Sequence, residues 1–258
     1  MARGINRPFG SFRISTSSWQ ARGLVAWWPA IRSQDLRDFS KLTGSFDLTA
    51  TGPTLTVDPE MGRVWLYNDA STEYFDRTSA AVSATPCTMC AWMKPDATHS
   101  GTLVAVGSSS TDDYARIITS TDGKVKAQLQ NVGAGGGKNA VGSAYSLNTW
   151  EHVTGTFVTA TDMNIFLNGV GKVQDTTSIA FPGVSRTSVG RTTRLNPVTY
   201  FSGHISDVRI YNRTLSDAEI YALYDSRTRW DLYAPIVSRL LGKAPATYPG
   251  YQSASGWF

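Results

Sequence analysis

The sequence predicts an all-β fold of the sandwich or barrel kind, and three observations lead there. From Gly23 to Asp207, short apolar or alternating runs are separated by Gly, Pro, Asn and Ser, the spacing expected of many short strands joined by turns. Only one segment, near the C-terminal end, carries the signals that start and sustain a helix. The composition is 41% apolar, 11% aromatic and 17% charged, which excludes the regime of disordered chains and supplies a sizeable core. A length of 258 residues suits one large sandwich.

In chain order the candidate strands are GLVAWWP at 23–29, GRVWLY at 62–67, EYFDR at 73–77, CTMCAWMKP at 87–95 and TLVAVGS at 102–108. YARIITS at 114–120, KVKAQLQ at 124–130, WEHVTGTFV at 150–158, MNIFLNG at 163–169, TSVGR at 187–191 and YFSGHISDVRIYN at 200–212 follow. In KVKAQLQ, Val125, Ala127 and Leu129 alternate with Lys124, Lys126, Gln128 and Gln130, so one face of that strand is wet. Asp122-Gly123 and Asn168-Gly169 supply the positive φ of tight hairpin turns. The glycine-rich GAGGGK at 133–138 lacks the following Ser or Thr and the helix of a phosphate cradle, and reads as a flexible hairpin tip.

SDAEIYALYDS is the one helix. Ser216 and Glu219 form a capping box, Leu215 is placed to staple onto Ile220, and Ile220, Leu223 and Tyr224 share a packing face. Beyond Ser226 three prolines and scattered aromatics replace any period, which predicts an extended arm.

Charge divides the chain in the same places. Residues 1–22 carry Arg3, Arg7, Arg13 and Arg22 with no acid, and residues 226–258 carry Arg227, Arg229, Arg239 and Lys243 against Asp231. The net charge of +4 therefore belongs to the ends, and the body between is mildly acidic. The expected organisation is a basic N-terminal arm at 1–22, a sandwich domain at 23–225 and an aromatic, basic C-terminal arm at 226–258. Such arms suit an acidic partner surface or simply solvated tails. An arm without a core is ordered only when something holds it, and Trp230, Tyr233, Tyr248, Tyr251, Trp257 and Phe258 are the natural anchors, on a partner or on the chain's own body. No apolar run is long enough to span a membrane, and MARGINRPFG lacks the apolar stretch of a secretory signal, so a protein made in the cytoplasm is expected.

GLVAWWP, TPCTMCAWMKP, the pair YSLNTWEHVTGTFV and MNIFLNGV, and YFSGHISDVRIYNRTLSDAEIYALY resemble, in order, the signatures of laminin-G-like, concanavalin A-like domains over residues 23–225. The resemblance implies a two-sheet antiparallel jelly roll with faces and loops free for recognition. It admits lectins, glycan-binding modules, adhesion domains and some glucanases, so the chemistry must be argued from residues. Retaining hydrolysis on this scaffold needs two carboxylates close together on one strand face. Glu73 and Glu151 have no second acid two residues away, Glu60 has Asp58 only across a proline, Glu219 has Asp217 but belongs to the helix cap, and an enzyme is not expected. Calcium, a habit of the family, would draw on Asn68, Asp69, Asp112, Asp113 and Asp162. Ser206, followed by Asp207, stands where relatives carry an acid, and turn hydrogen bonds are the favoured role for these loop acids.

Cys87 and Cys90 fall on opposite faces of one strand and have no second pair, so they read as packing residues. His99, His152 and His204 lie in separate segments and suggest no triad, and Asn212-Arg213-Thr214 is a glycosylation triplet of little weight without a secretion signal.

LYDSRTRWDLYAP at 223–235 resembles the ending of laminin-G-like proteins of tailed bacteriophages. That resemblance and the basic arms imply a virion accessory protein, a capsid decoration or tail or fibre component. Arg3, Arg7, Arg13, Trp230 and Tyr233 would attach it to capsid or tail subunits, and the homo-oligomeric sandwich would face outward toward cell-surface glycans. The alternative is a stand-alone carbohydrate-binding or adhesion module whose arms fold back.

Overall fold

The computed structural model describes residues 12–30, 37–40, 46–194, 196 and 198–235. Its strands are β1 (Phe12–Ile14), β2 (Leu24–Trp28), β3 (Thr49–Thr51), β4 (Thr54–Asp58), β5 (Gly62–Tyr67), β6 (Tyr74–Arg77), β7 (Cys87–Pro95), β8 (Thr102–Gly107) and β9 (Tyr114–Thr119). They continue as β10 (Lys124–Asn131), β11 (Gly136–Ala144), β12 (Glu151–Thr159), β13 (Asp162–Leu167), β14 (Val170–Asp175), β15 (Arg186–Val189), β16 (Gly203–Tyr211) and β17 (Tyr233–Pro235). One α-helix, α1 (Asp217–Tyr224), follows β16.

Two antiparallel sheets form a jelly-roll sandwich. One runs β11-β10-β9-β8-β15-β6-β3; the other runs β14-β13-β12-β7-β16-β5-β4, with β2 also pairing β16. Alternation explains the layer between them. Met89, Ala91 and Met93 of β7, with Val153, Phe157 and Ile165, face Val104, Val106, Ala115, Ile117, Val125 and Ala127 of the other sheet, and all are buried in one cluster. Cys87 joins that cluster while Cys90, three residues on, joins a second cluster on the outer face of the same strand. Both thiols are free, and burial pushes each up to about 12, which suits packing rather than redox chemistry.

All eleven runs read from the sequence are strands. Gly136–Lys138 of the supposed glycine-rich tip begins β11, and the turn lies just before it at Val132–Gly135. The helix is as expected: the Ser216 hydroxyl accepts from Glu219 N, and the Glu219 carboxylate accepts from Ser216 N at 2.9 Å. Leu215, Ile220 and Leu223 are buried together.

The outer face of the β7 sheet is covered by segments that the sequence reading placed in arms. β1 and β17 pair as a separate two-stranded ribbon, with Phe12 opposite Pro235. Asp207, at a bulge in β16 with φ of 49°, ties those segments down. Its Oδ1 accepts from Trp27 Nε1 (2.6 Å) and Tyr233 Oη (2.9 Å), and its Oδ2 accepts from Arg209 Nη2 (2.6 Å). Arg209 in turn donates to Gln20 Oε1 (2.7 Å) and to the Arg229 carbonyl (3.2 Å), and Gln20 Nε2 donates to the Thr228 carbonyl (2.7 Å). Burial works against the Arg209 charge, but pairing with Asp207 raises its pKa above the usual value. A single buried network thus clasps residues 19–21 and 228–233 to the sandwich.

Candidate functional site

Strand alternation that sends Met89, Ala91 and Met93 inward sends Trp92 outward from the middle of a central strand. Such a ring needs cover. The β7–β12 register sets His152 opposite Trp92, and their rings lie 5.2 Å apart. Tyr224 of α1 stacks on Trp92 at 5.9 Å and 27°, and Trp230 tilts over it at 6.4 Å. Trp150, just before β12, is fixed by donating its Nε1 proton to Asp58 Oδ1 (2.9 Å). Asp58 also receives Lys94 Nζ at 2.9 Å. Although burial works the other way, that ammonium and the donors from Met61, Trp150 and Glu60 hold Asp58 down to about 2.

These rings enclose an open pocket of about 310 Å³ lined by Trp92, Trp150, Tyr221, Tyr224, Asp225, Ser226 and Arg229. That volume lies at the low end of the range for small-molecule sites, and flat apolar walls with a few polar groups are what such sites present. Tyr221 is 46% exposed at the rim, whereas Trp92 is 1% exposed at the floor. The Asp225 carboxylate is taken up by Arg227, with Nη2 at 2.7 Å. Arg229 Cζ lies 5.6 Å from the centre of the Trp92 ring and 5.7 Å from that of Trp230.

The rim depends on a turn that the sequence announces. Asn168 and Gly169 both have positive φ, and a Cβ added to Gly169 would meet Tyr221 Cα at 2.9 Å and Tyr224 Cβ at 3.2 Å. Helix α1 therefore rests directly on the β13–β14 turn. Gly169→Ala should lower the melting temperature by several degrees, roughly 1–2 kcal/mol, and displace Tyr221 and Tyr224. Thermal melting with near-ultraviolet circular dichroism checks both effects; an unchanged aromatic spectrum contradicts the seating.

The residues singled out from sequence fare differently. Arg3 and Arg7 lie outside the described residues. Arg13 is exposed on β1. Trp230 packs beside Trp92, and Tyr233 is 6% exposed with its hydroxyl on Asp207, so both rings hold the chain's own segment to its own body.

Among the calcium candidates, Asn68 and Asp69 accept from Ala70 N at 3.0 and 2.8 Å. Asp113 accepts from Thr111 Oγ1 and Val132 N, and Asp112 pairs with Arg194 at 3.1 Å. Asp162 accepts from Asn164 and Gln174. These are turn and strand contacts, and the described residues contain no group of three or more His, Cys, Asp or Glu placed to hold a metal ion. Glu151 accepts from Ser146 N, and Glu73 from Asn68 N. No helix among the described residues is long and apolar enough to cross a membrane.

The chain is an antiparallel jelly roll with an open aromatic pocket on one outer face. The chain belongs to the Concanavalin A-like lectin/glucanases superfamily of laminin-G-like domains, whose family model matches residues 69–221, more than half of its length. No curated protein matches it.

Among solved structures it is similar to domain 4 of an extracellular arabinanase from Geobacillus stearothermophilus in complex with arabinotriose. The identity is 20%, the TM-score 0.62, and the match covers 78% of this chain and 98% of that one. It is also similar to the binding domain of Paraclostridial Mosquitocidal Protein 1, at 17% identity and TM-score 0.58, covering 80% of this chain and 52% of that one. A third is Trypanosoma rangeli sialidase, at 14% identity and TM-score 0.60, covering 80% of this chain and 33% of that one. The chain thus spans about half and a third of the last two. At these identities the likeness is one of fold.

Proposed function

We propose that this protein is a non-catalytic carbohydrate-binding module whose ligand lodges in the pocket beneath α1. The observation that carries the reading is the arrangement of Trp92, Trp150, Tyr221 and Tyr224 around an open hollow. Sugar rings have apolar faces that stack on aromatic faces, and polar groups at the rim then set orientation. The structural likeness to an arabinanase domain seen with arabinotriose supports a saccharide as the ligand class. Tyr221 is exposed and adds little to the core, so Tyr221→Ala should keep the wild-type melting temperature. On a glycan array it should lose about tenfold or more in affinity, as expected for an aromatic contact worth roughly 1–2 kcal/mol. Full retention of binding by the variant would move the site elsewhere.

A specific observation favours a setting on a virion, as a capsid decoration or tail or fibre component. In the β1–β17 ribbon Phe12 stands opposite Pro235, so the chain enters β1 and leaves β17 at the same end. The segments beyond, 1–11 and 236–258, carry Arg3, Arg7, Arg239 and Lys243 and no acid. Two cationic segments starting from one point suit attachment to an acidic subunit surface. They would leave the pocket for display. Removing residues 1–11 and 236–258 should abolish incorporation into particles while the melting temperature stays unchanged; normal incorporation would exclude this role.

A further inference from the structure

Resting on the carbohydrate reading, we infer that the saccharide is acidic, carrying a carboxylate or sulfate that ion-pairs with Arg229 inside the pocket. Arg229 is only 7% exposed, and its Nε is buried without a hydrogen-bond partner. No carboxylate among the described residues comes within 4 Å of it: the nearby Asp225 pairs with Arg227, Asp207 with Arg209, and Asp58 with Lys94. A largely buried guanidinium without an ion-pair partner is costly; burial pushes its pKa below the usual value, and the charges of Tyr224 and Asp225 offset this only in part. The faces of Trp92 and Trp230 stabilise the cation in part without neutralising it.

The backbone keeps it there. The Arg229 carbonyl accepts from Arg209, and Arg229 N donates to the Asp225 carbonyl at 2.9 Å, so the residue is anchored through its main chain while its side chain lines the pocket. The other wall polar groups fit the same ligand. His152 behind Trp92 is held neutral by burial, and the Asp225 carboxylate is taken up by Arg227. A planar guanidinium offers a carboxylate or sulfate two parallel hydrogen bonds, which distinguishes an acidic sugar from its neutral counterpart.

The test is calorimetric titration of the full chain with trigalacturonic acid, sialyllactose and a heparin-derived disaccharide, each beside a neutral counterpart: the methyl esters of the first two and the desulfated, carboxyl-reduced form of the third. At least one acidic probe should bind tenfold or more tighter than its counterpart, with the preference shrinking as salt is raised. Which probe does so separates carboxylate from sulfate. Arg229→Gln should abolish the preference, read as the ratio of acidic to neutral affinity within the variant, while Arg229→Lys should keep part of it. Salt dependence and the neutral counterparts need no variant, so a poorly folding Arg229→Gln does not blunt the test. Equal binding of acidic and neutral members would overturn the inference and leave the carbohydrate reading standing. Binding of none of the six would overturn both.

Discussion

Asp207→Ala should destabilise the domain by about 3–5 kcal/mol, because it leaves the Arg209 guanidinium buried without its counter-charge. The pair is 2.6 Å apart, and both side chains are only 2% exposed. The same carboxylate receives Trp27 Nε1 and the Tyr233 hydroxyl, so its removal frees residues 228–233 as well as weakening the core. Urea unfolding should show the loss, and tryptic cleavage after Arg227 and Arg229 should accelerate under native conditions. Tyr233→Phe removes one hydrogen bond and should cost only about 1 kcal/mol. Wild-type stability of Asp207→Ala would mean that the clasp is not held by charge. Because Arg229 sits within the clasped segment, Asp207→Ala should also weaken ligand binding.

The second large effect is with pH. His152 is 2% exposed between Trp92 and the Arg209 region, and burial, helped by the charges of Arg209 and Arg229 against that of Asp207, lowers its pKa to about 3. In the unfolded chain the imidazole takes a proton near pH 6.5. Between these values the unfolded state binds the additional proton, so stability rises with pH there. The contribution is fully present above about pH 6.5 and is lost progressively as pH falls to about 3, on the order of 5 kcal/mol in all. Asp58, held down to about 2, contributes in a separate window: present above about pH 4, and lost as pH falls through about 2. Unfolding free energies measured from pH 8 to pH 2 should slope accordingly. His152→Phe, which retains a ring against Trp92, should flatten the upper part of the curve; an unchanged slope would place the acid sensitivity elsewhere.

Strands with strong alternation or dense apolar runs, such as β5, β7 and β10, could be read from residues alone because each carries its own burial pattern. β3, β4, β11 and β14 could not. They are short, polar or glycine-rich, and become strands through a neighbour: β14 is entered from the Asn168-Gly169 turn and pairs with β13, and β11 lies along β10. The arms show the same limit. Nothing in TRWDLYAP predicts β17, because the force that orders it is the carboxylate of Asp207, distant in sequence and turned by a bulge.

The pocket was legible only in part. Trp92 sits at an outward position of a strand whose inward positions are already filled, a signal of a ring wanting cover that is masked because both faces of β7 are buried. Trp150 and Arg229 carried no such mark; one is placed by Asp58 and the other by the clasp. Sequence reasoning chose Trp230 and Tyr233 for their aromaticity, but Trp230 packs against Trp92 and Tyr233 fastens its segment to Asp207, both beside the pocket.

The most direct measurement is a crystal structure of the protein soaked with its tightest saccharide from the array. Density for a sugar ring against Tyr221 and Trp150, with an acidic group on Arg229, is the predicted result. A saccharide bound instead among the loops near Asp112 and Arg194 would contradict it.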